Sequence, residues 1–518
     1  MLRSNWVGSE FAPVGRRADP DRARRRDGFN LSVHDNPSPK PGPLPDKSQP
    51  YVSPDLPRDG TLTREEILLH LLVGRRVGDE RYRDGGEIAV ARLFSDVTCL
   101  VLRYHVGARC FYTYNGSAWA PDPEGMRAEQ LAKLFADALC YAADNFDLPD
   151  AYASSSAKLQ SRAARVRLLT DARDFYPIDR GDLDRDPLLF NVRNGVLRLD
   201  TGELLPHDPE LLLSRMADVA YDPDAPGARF QQFLLDIMQG DAEKQTYLLK
   251  ILGYALLGEA PVHECYMLFG STTRNGKSTL LETIRRLFGT YAASMEPQSL
   301  ALTRSDTRGA RGDLARLDGI RFLQMSEPPR GMRLDAALLK KLTGQDTLTC
   351  RNLYERDFEF TPCFKLYINT NYLPQTTDPT LFTSGRVRVL PFDRHFSEAE
   401  QDRDLRKKLL AEDEKSGILN LLLTGLDMVF ADGMRIDPPR SIRSATDDYA
   451  RSADKIALFL DDCFAPDPKG VIPLKTAYEA FARWCLDSGR GCENKRLFTD
   501  ELRKRGLVRE GVKVNGRH

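Results

Sequence analysis

Lys277 and Ser278 stand in the run GSTTRNGKST, which follows the short apolar segment CYMLF and precedes LLETIRRLFG. Glycine, lysine and a hydroxyl in that order are the parts of a phosphate-binding loop. The glycines Gly270 and Gly276 let backbone amides approach an anion, Asn275 and Thr279 flank them as further nucleotide-binding positions, Lys277 bridges terminal phosphates, and Ser278 offers oxygen to Mg²⁺. The common spacing has four residues between the glycines; here five intervene, Ser271 to Asn275. Three further residues could act on a phosphate held there. Glu327 stands two residues after the apolar run IRFLQM and could hold metal-bound water or polarise an attacking one. Asn371 follows directly on FKLYINT and could orient water against a terminal phosphate. Arg386 precedes VRVLPF and could stabilise charge on a transferring phosphoryl group. Each has a plainer alternative: a loop glutamate, an asparagine turn, a structural arginine.

These residues need elements to hold them. CYMLF has strand length, and Leu280, Leu281, Ile284, Leu287 and Phe288 recur on one helical face, so the loop falls where a strand hands over to a helix N-terminus. Residues 256–435 alternate short apolar strands with helices, which predicts an α/β domain with a largely parallel sheet. Residues 61–255 read as a mixed α+β domain, or two small ones, with hairpin turns at Asn115-Gly116 and Asn194-Gly195. Residues 1–58, crowded with arginine and then proline, read as a disordered basic tail. Pro438-Pro439 suggests a linker, and 445–518 reads as three helices and a strand-like tail LVREGVKVNG.

The chain of 518 residues is 41% hydrophobic and 29% charged, with a net charge of −1. That balance excludes a uniformly basic binder but leaves room for local basic surfaces. Nine scattered cysteines form no C-x-x-C pair, which fits reduced thiols in a cytoplasmic protein rather than a zinc or disulfide framework. No apolar run suggests a membrane span, and the first residues lack a signal-peptide core.

The order of these parts, GKST, a strand ending in Glu327, LLKKLTGQDTLTCRNLY, a strand ending NTNYLP, and GRVRVLPFDRHF, resembles superfamily 3 helicases, in particular the phage, plasmid and poxvirus primase–helicase group. The likeness extends over 61–518 and is most specific over 265–396. It implies a P-loop NTPase of AAA+ type that hydrolyses ATP with Mg²⁺ and pulls single-stranded DNA through a homo-hexameric ring. It also implies action on forked DNA beside a separate primase or polymerase, in a phage or mobile element within a bacterial host. By position, Lys277 and Ser278 serve phosphate and metal, Glu327 the second motif, Asn371 the sensor, and Arg386 the finger reaching a neighbour's ATP. Inserts in the loop are tolerated in that group. A hairpin after Lys340-Lys341 would line the pore, with Lys341 and Arg351 on the DNA backbone. The last module resembles a winged helix in which Leu497, Phe498 and Leu502 face inward and Lys495, Arg496, Arg503 and Lys504 face DNA. Primer synthesis needs paired carboxylates on a strand. The D-x-D pair Asp182/Asp184 lies in polar loop sequence, so no primase site is expected. Two other readings stay open: an ATP-switched origin-binding initiator that does not translocate, and a small-molecule P-loop kinase.

Overall fold

Apolar periodicity organises the chain around separate cores. A computed structural model describes residues 58–68, 86–145, 150–302, 311–351, 357–376, 378–465, 467, 470–489 and 491–509. Of the tail expected over 1–58, residues 1–57 lie outside them. Helices α1 (Glu87–Thr98), α2 (Met126–Asn145), α3 (Asp150–Leu159) and α4 (Arg162–Asp171) bury Phe94, Leu131, Phe135, Leu139 and Leu168 in the first core. Packed with them is an antiparallel sheet of β1 (Leu102–His105), β2 (Cys110–Tyr114) and β3 (Trp119–Asp122). The β2–β3 turn falls at Asn115-Gly116, where the Asn115 side chain accepts the amides of Ser117 and Ala118.

The second half of the region expected as one N-terminal domain, or two small ones, packs elsewhere. A small antiparallel sheet, β4 (Leu189–Val192), β5 (Gly195–Arg198) and β6 (Leu204–Leu205), and the helices α5 (Ala228–Ile237) and α6 (Ala242–Tyr254) share a core with the phosphate-loop strand and helix. Apolar contact, not chain order, sets this boundary: Phe190, Phe233, Leu252 and Tyr254 have no core of their own to enter and close over the parallel sheet.

That sheet has the order β13-β7-β12-β9-β8. Its strands are β7 (Cys265–Phe269), β8 (Ala292–Met295), β9 (Phe322–Met325), β12 (Lys365–Thr370) and β13 (Val387–Pro391), all parallel. Between them lie α7 (Lys277–Leu287), the short α8 (Gly312–Ala315), α9 (Ala336–Thr343), the hairpin β10 (Leu348–Cys350) with β11 (Phe358–Phe360), and the short α10 (Thr380–Thr383). Parallel strands put all their C-terminal ends on one edge, where ligands of open α/β sheets bind. The loops after β7, β9 and β12 therefore emerge together.

Both sheet faces are covered, which hides two charged residues. Lys365 is fully buried and donates to the carbonyls of Leu257 (2.7 Å), Glu259 (2.6 Å) and Cys363 (3.1 Å). Burial lowers its pKa to about 7. Arg321, 2% exposed, donates to Leu256 O (2.5 Å) and Leu189 O (2.8 Å), and so ties β4 to the parallel sheet.

After β13 come α11 (Leu405–Leu409) and the long α12 (Glu412–Ala431). α12 crosses α6 at two glycines: a Cβ at Gly425 would lie 2.1 Å from Leu249 O, and one at Gly253 would lie 2.2 Å from Leu422 O. Backbone on both sides cannot yield as a side chain can. Gly425→Leu should therefore destabilise this core by about 3 kcal/mol, the upper part of the overpacking range, read as a lowered midpoint of the first thermal transition.

The boundary expected between 435 and 445 is crossed by α13 (Arg440–Ala453). Its Thr446 hydroxyl accepts the Val389 amide, and its Tyr449 hydroxyl donates to Pro374 O. This helix belongs to the sheet's packing. α14 (Lys455–Cys463), α15 (Leu474–Asp487) and α16 (Lys495–Lys504) then enclose a small core of Ile456, Phe459, Phe481, Cys485, Phe498 and Leu502. Leu497 was expected in that stripe but is 53% exposed, because Phe498 and Leu502, four apart, fix the inward face. Positions 510–516 of the expected wing lie outside the described residues, and 507–509 are irregular. Among the described residues no helix is long and apolar enough to cross a membrane.

Candidate phosphate-binding site

β7 ends at Phe269, and α7 begins at Lys277 with Gly276 as its N-cap at φ 86°. Only glycine takes that conformation cheaply, and a Cβ at residue 276 would also sit 2.4 Å from Ile237 Cγ2 of α5. α7 buries Leu280, Leu281, Ile284 and Leu287 completely, which fixes the helix axis and aims its free amides into the loop.

The extra loop residue is accommodated by bracing. The Asn275 amide donates to Thr272 O (2.7 Å), His395 Nδ1 to Thr273 O (2.8 Å), and the Phe396 amide to Arg274 O (2.9 Å). Arg274 takes a left-handed φ of 59° to make the bend. The segment after β13 thus acts as a strap along the loop. Nothing in the loop sequence marked that strap; only the adjacency of β13 and β7 brings it there.

Inside the loop is a cradle that a side chain would fill. A Cβ at Gly270 would lie 2.2 Å from Asn275 Nδ2 and 2.8 Å from Lys277 Nζ. Lys277 is 3% exposed and donates to Asn371 Oδ1 at 2.9 Å. Desolvation lowers its pKa to about 8, opposed by the charge of Glu327. Ser278 is exposed, its Oγ accepting from Asn369 Nδ2 at 3.0 Å, and Thr279 lies half-buried in the first turn of α7. Glu327 stands exposed two residues beyond β9. The loop, Lys277, Ser278, Glu327 and Asn371 thus share the C-terminal edge of the sheet. The sequence reading passed over Asn369 as one of an alternating strand's polar positions. Its spacing, two before Asn371, puts it on the β12 face that meets α7.

Arg386 is not at this edge. It precedes β13, its carbonyl accepting the Cys265 amide at the start of β7, and its guanidinium donates to Lys340 O and Thr343 Oγ1, each at 3.1 Å. Within one chain the length of the sheet separates it from the loop. On the same side, α9 ends with Lys340 paired to Asp378 (2.6 Å) and Lys341 exposed. Arg351, at the end of β10, is exposed and 3.8 Å from Asp357. The turn joining β10 to β11 lies outside the described residues.

On α16, Lys495 and Arg496 are exposed, whereas Arg503 pairs with Asp500 (3.1 Å) and Lys504 with Glu501 (2.6 Å), so part of the helix's positive charge is balanced locally. Asp184 is engaged by the amide and hydroxyl of Ser214, and Asp182 accepts the Asp179 amide.

A glycine-framed strand–loop–helix unit in a parallel sheet defines the class: an α/β, NTPase-like domain. Residues 90–239 match the family described as D5 N terminal like, and 268–386 match one described as a family of unknown function (DUF5906). "Putative helicase L207/L206" of Acanthamoeba polyphaga mimivirus is 26% identical over 336 residues, 61% of this chain and 35% of that protein. "Putative helicase 022R" of Frog virus 3 is 26% identical over 260 residues, 47% and 26% of the two chains. "Putative helicase 121R" of Invertebrate iridescent virus 3 is 24% identical over 375 residues, 66% and 40%. The chain thus spans 26% to 40% of the length of these curated relatives. The apo structure of the NrS-1 C terminal region (305-718) aligns at a TM-score of 0.44 and 12% identity over 80% of this chain and 94% of that one, a likeness too slight to carry function. By these matches the chain is similar to the phage and viral primase–helicase group.

Proposed function

We propose that the chain is the motor portion of an ATP-driven DNA helicase of superfamily 3 and AAA+ type, working as a ring on single-stranded DNA. The observation that carries this reading is the Lys277–Asn371 hydrogen bond, made beside a glycine-framed cradle and Glu327. It couples the residue that would grip a terminal phosphate to the end of a neighbouring strand. In this reading a triphosphate draws Lys277 Nζ off Asn371, which frees the amide to report the phosphate. Ser278 and Glu327 supply the oxygen donors that suit Mg²⁺; when bound, the ion neutralises charge building on the phosphoryl oxygens. Glu327 takes a proton from, or orients, the attacking water.

Arg386 lies at the sheet's opposite end and is read as reaching a neighbouring subunit's nucleotide, which makes a ring the working form. Mixing Arg386→Ala with Lys277→Ala subunits should restore part of the hydrolysis either variant lacks, and no recovery at any ratio would remove the finger. Lys341 and Arg351 are read as backbone contacts for the strand. Lys495 and Arg496 are read as DNA contacts of a winged-helix module, joined by Arg503 and Lys504 only if their acid partners release them.

The experiment that tests the motor is ATP hydrolysis with and without a single strand, at low and moderate salt; equal rates throughout would overturn it. The exposed pair Lys495/Arg496 favours a second reading, an initiator that binds an origin duplex without translocating. A footprint on one duplex sequence with no strand displacement would select it.

Asn369 gives this site a more local test. Its amide hydrogen bond holds the Ser278 hydroxyl. Asn369→Leu removes a net interaction of about 1 kcal/mol. Hydrolysis should fall roughly fivefold, while nucleotide affinity measured with the metal chelated stays unchanged. An equal loss under both conditions would mean that Asn369 supports the fold rather than Ser278.

A further inference from the structure

The first core carries a cleft of about 560 Å³ remote in sequence from the motor motifs. It opens between the β1–β2 turn and helices α2 and α4, and its lining includes Tyr104, Arg109, Phe111, Lys133, Arg162 and Arg173. The charged groups around it divide into those that are spent and those that are free. Arg165 is structural: it pairs with Glu129 at 2.8 Å and donates to the carbonyls of Leu159 and Gln160. Glu129 is shared with Lys133 at 3.8 Å. Asp122 accepts the Ala128 amide at the start of α2. Glu124 is then the remaining acid. Arg109, Arg162 and Arg173 are exposed, and none has an ion pair among the described residues.

Two features suggest a polyanion with flat faces rather than a small anion. Arg173 lies over the Tyr104 ring at 5.1 Å, and Tyr104 meets Phe111 edge-on at 5.3 Å, so a guanidinium–aromatic platform forms part of the wall. Arg109 is held at φ 54° at the tip of the β1–β2 turn. A non-glycine residue in that region is strained, yet its side chain makes no hydrogen bond or ion pair among the described residues. Free arginines beside an aromatic platform are the chemistry that tracks a sugar–phosphate backbone and stacks unpaired bases.

We propose that this cleft is a second binding site for single-stranded nucleic acid, separate from the motor's own strand contacts. It rests on the nucleic-acid reading of the chain but not on the nucleotide loop. The full chain, free of nucleotide, is titrated with a fluorescent oligothymidylate over a salt series. The triple variant R109A/R162A/R173A should bind at least tenfold more weakly. Its slope of log affinity against log salt should be shallower by about 2, at roughly 0.7 per lost phosphate contact. A matched variant, R286A/R435A/R451A, removes three exposed arginines elsewhere and should keep both values. Cross-linking of 5-iodouracil strands should label peptides covering 102–114 and 162–173. Wild-type affinity and slope in a folded triple variant would overturn the proposal. So would a duplex competitor as effective as a single strand, or a change in oligomeric state as the variant's sole effect. A triple variant that binds normally and still shows strand-stimulated hydrolysis removes the cleft and spares the motor. Weakened binding by the triple variant, with no stimulation in wild type, does the reverse.

Discussion

Lys277→Ala should abolish productive nucleotide binding and cut hydrolysis by on the order of 10²–10³, the usual cost of removing one preorganised electrostatic donor from a reacting oxyanion. The variant should nonetheless fold as well as the parent. Burial has lowered the lysine's pKa from 10.5 to about 8, so below pH 8 the folded chain carries the full cost of keeping that charge out of water. In the unfolded chain the lysine stays protonated up to 10.5. This group therefore opposes folding fully at neutral pH and progressively less as pH rises from about 8 to 10.5. A phosphate ligand runs the other way, because it favours the charged amine. Nucleotide affinity should hold up to about pH 8 and then fall by up to tenfold per unit, with a proton taken up on binding. Lys277→Arg, charged throughout, should lose that break whatever its absolute affinity. Calorimetry in two buffers of different ionisation enthalpy measures the proton directly. A flat profile to pH 10 in the parent would mean that Lys277 does not meet the phosphate.

Much of this site was legible because its signals are local. The strand CYMLF, the glycine N-cap and the inward stripe Leu280, Leu281, Ile284 and Leu287 follow from periodicity and backbone freedom alone, and α7 buries those residues. The ends of β9 and β12 could be read in the same way. What was not legible depends on contacts distant in sequence. The strap residues His395 and Phe396 reach the loop because β13 lies beside β7. Lys365 and Tyr367 alternate with apolar residues in FKLYINT, yet they too are buried, because α6 supplies a cover and the 257–259 turn supplies carbonyls for the lysine. α13 sits beyond a Pro-Pro step that suggested a linker, yet Tyr449 and Thr446 join it to the sheet. Proline breaks a helix, not a domain, and only tertiary packing decides where a core ends.

Glu327→Gln should separate binding from chemistry. The amide keeps the size of the side chain and one oxygen donor but has no charge and no basic site, so a step that needs a base falls by about 10²–10⁴, while phosphate contacts through the loop and Lys277 persist. The expected variant binds nucleotide about as tightly as the parent at neutral pH and shows almost no single-turnover hydrolysis. In the motor reading it accumulates in the nucleotide-bound state and holds single-stranded DNA longer. A second consequence follows from the electrostatics of the pair. The Glu327 charge is what opposes the desolvation of Lys277. Without it the lysine loses its proton more readily, so the break in affinity expected near pH 8 should move to lower pH. A merely structural glutamate on that loop would leave the break in place, and a glutamate that held only the metal would lose its effect on affinity once the metal is chelated. A fall in hydrolysis together with an unchanged pH profile would therefore place Glu327 too far from Lys277 to share one phosphate with it, and the carboxylate of the second motif would have to be sought elsewhere on that sheet edge.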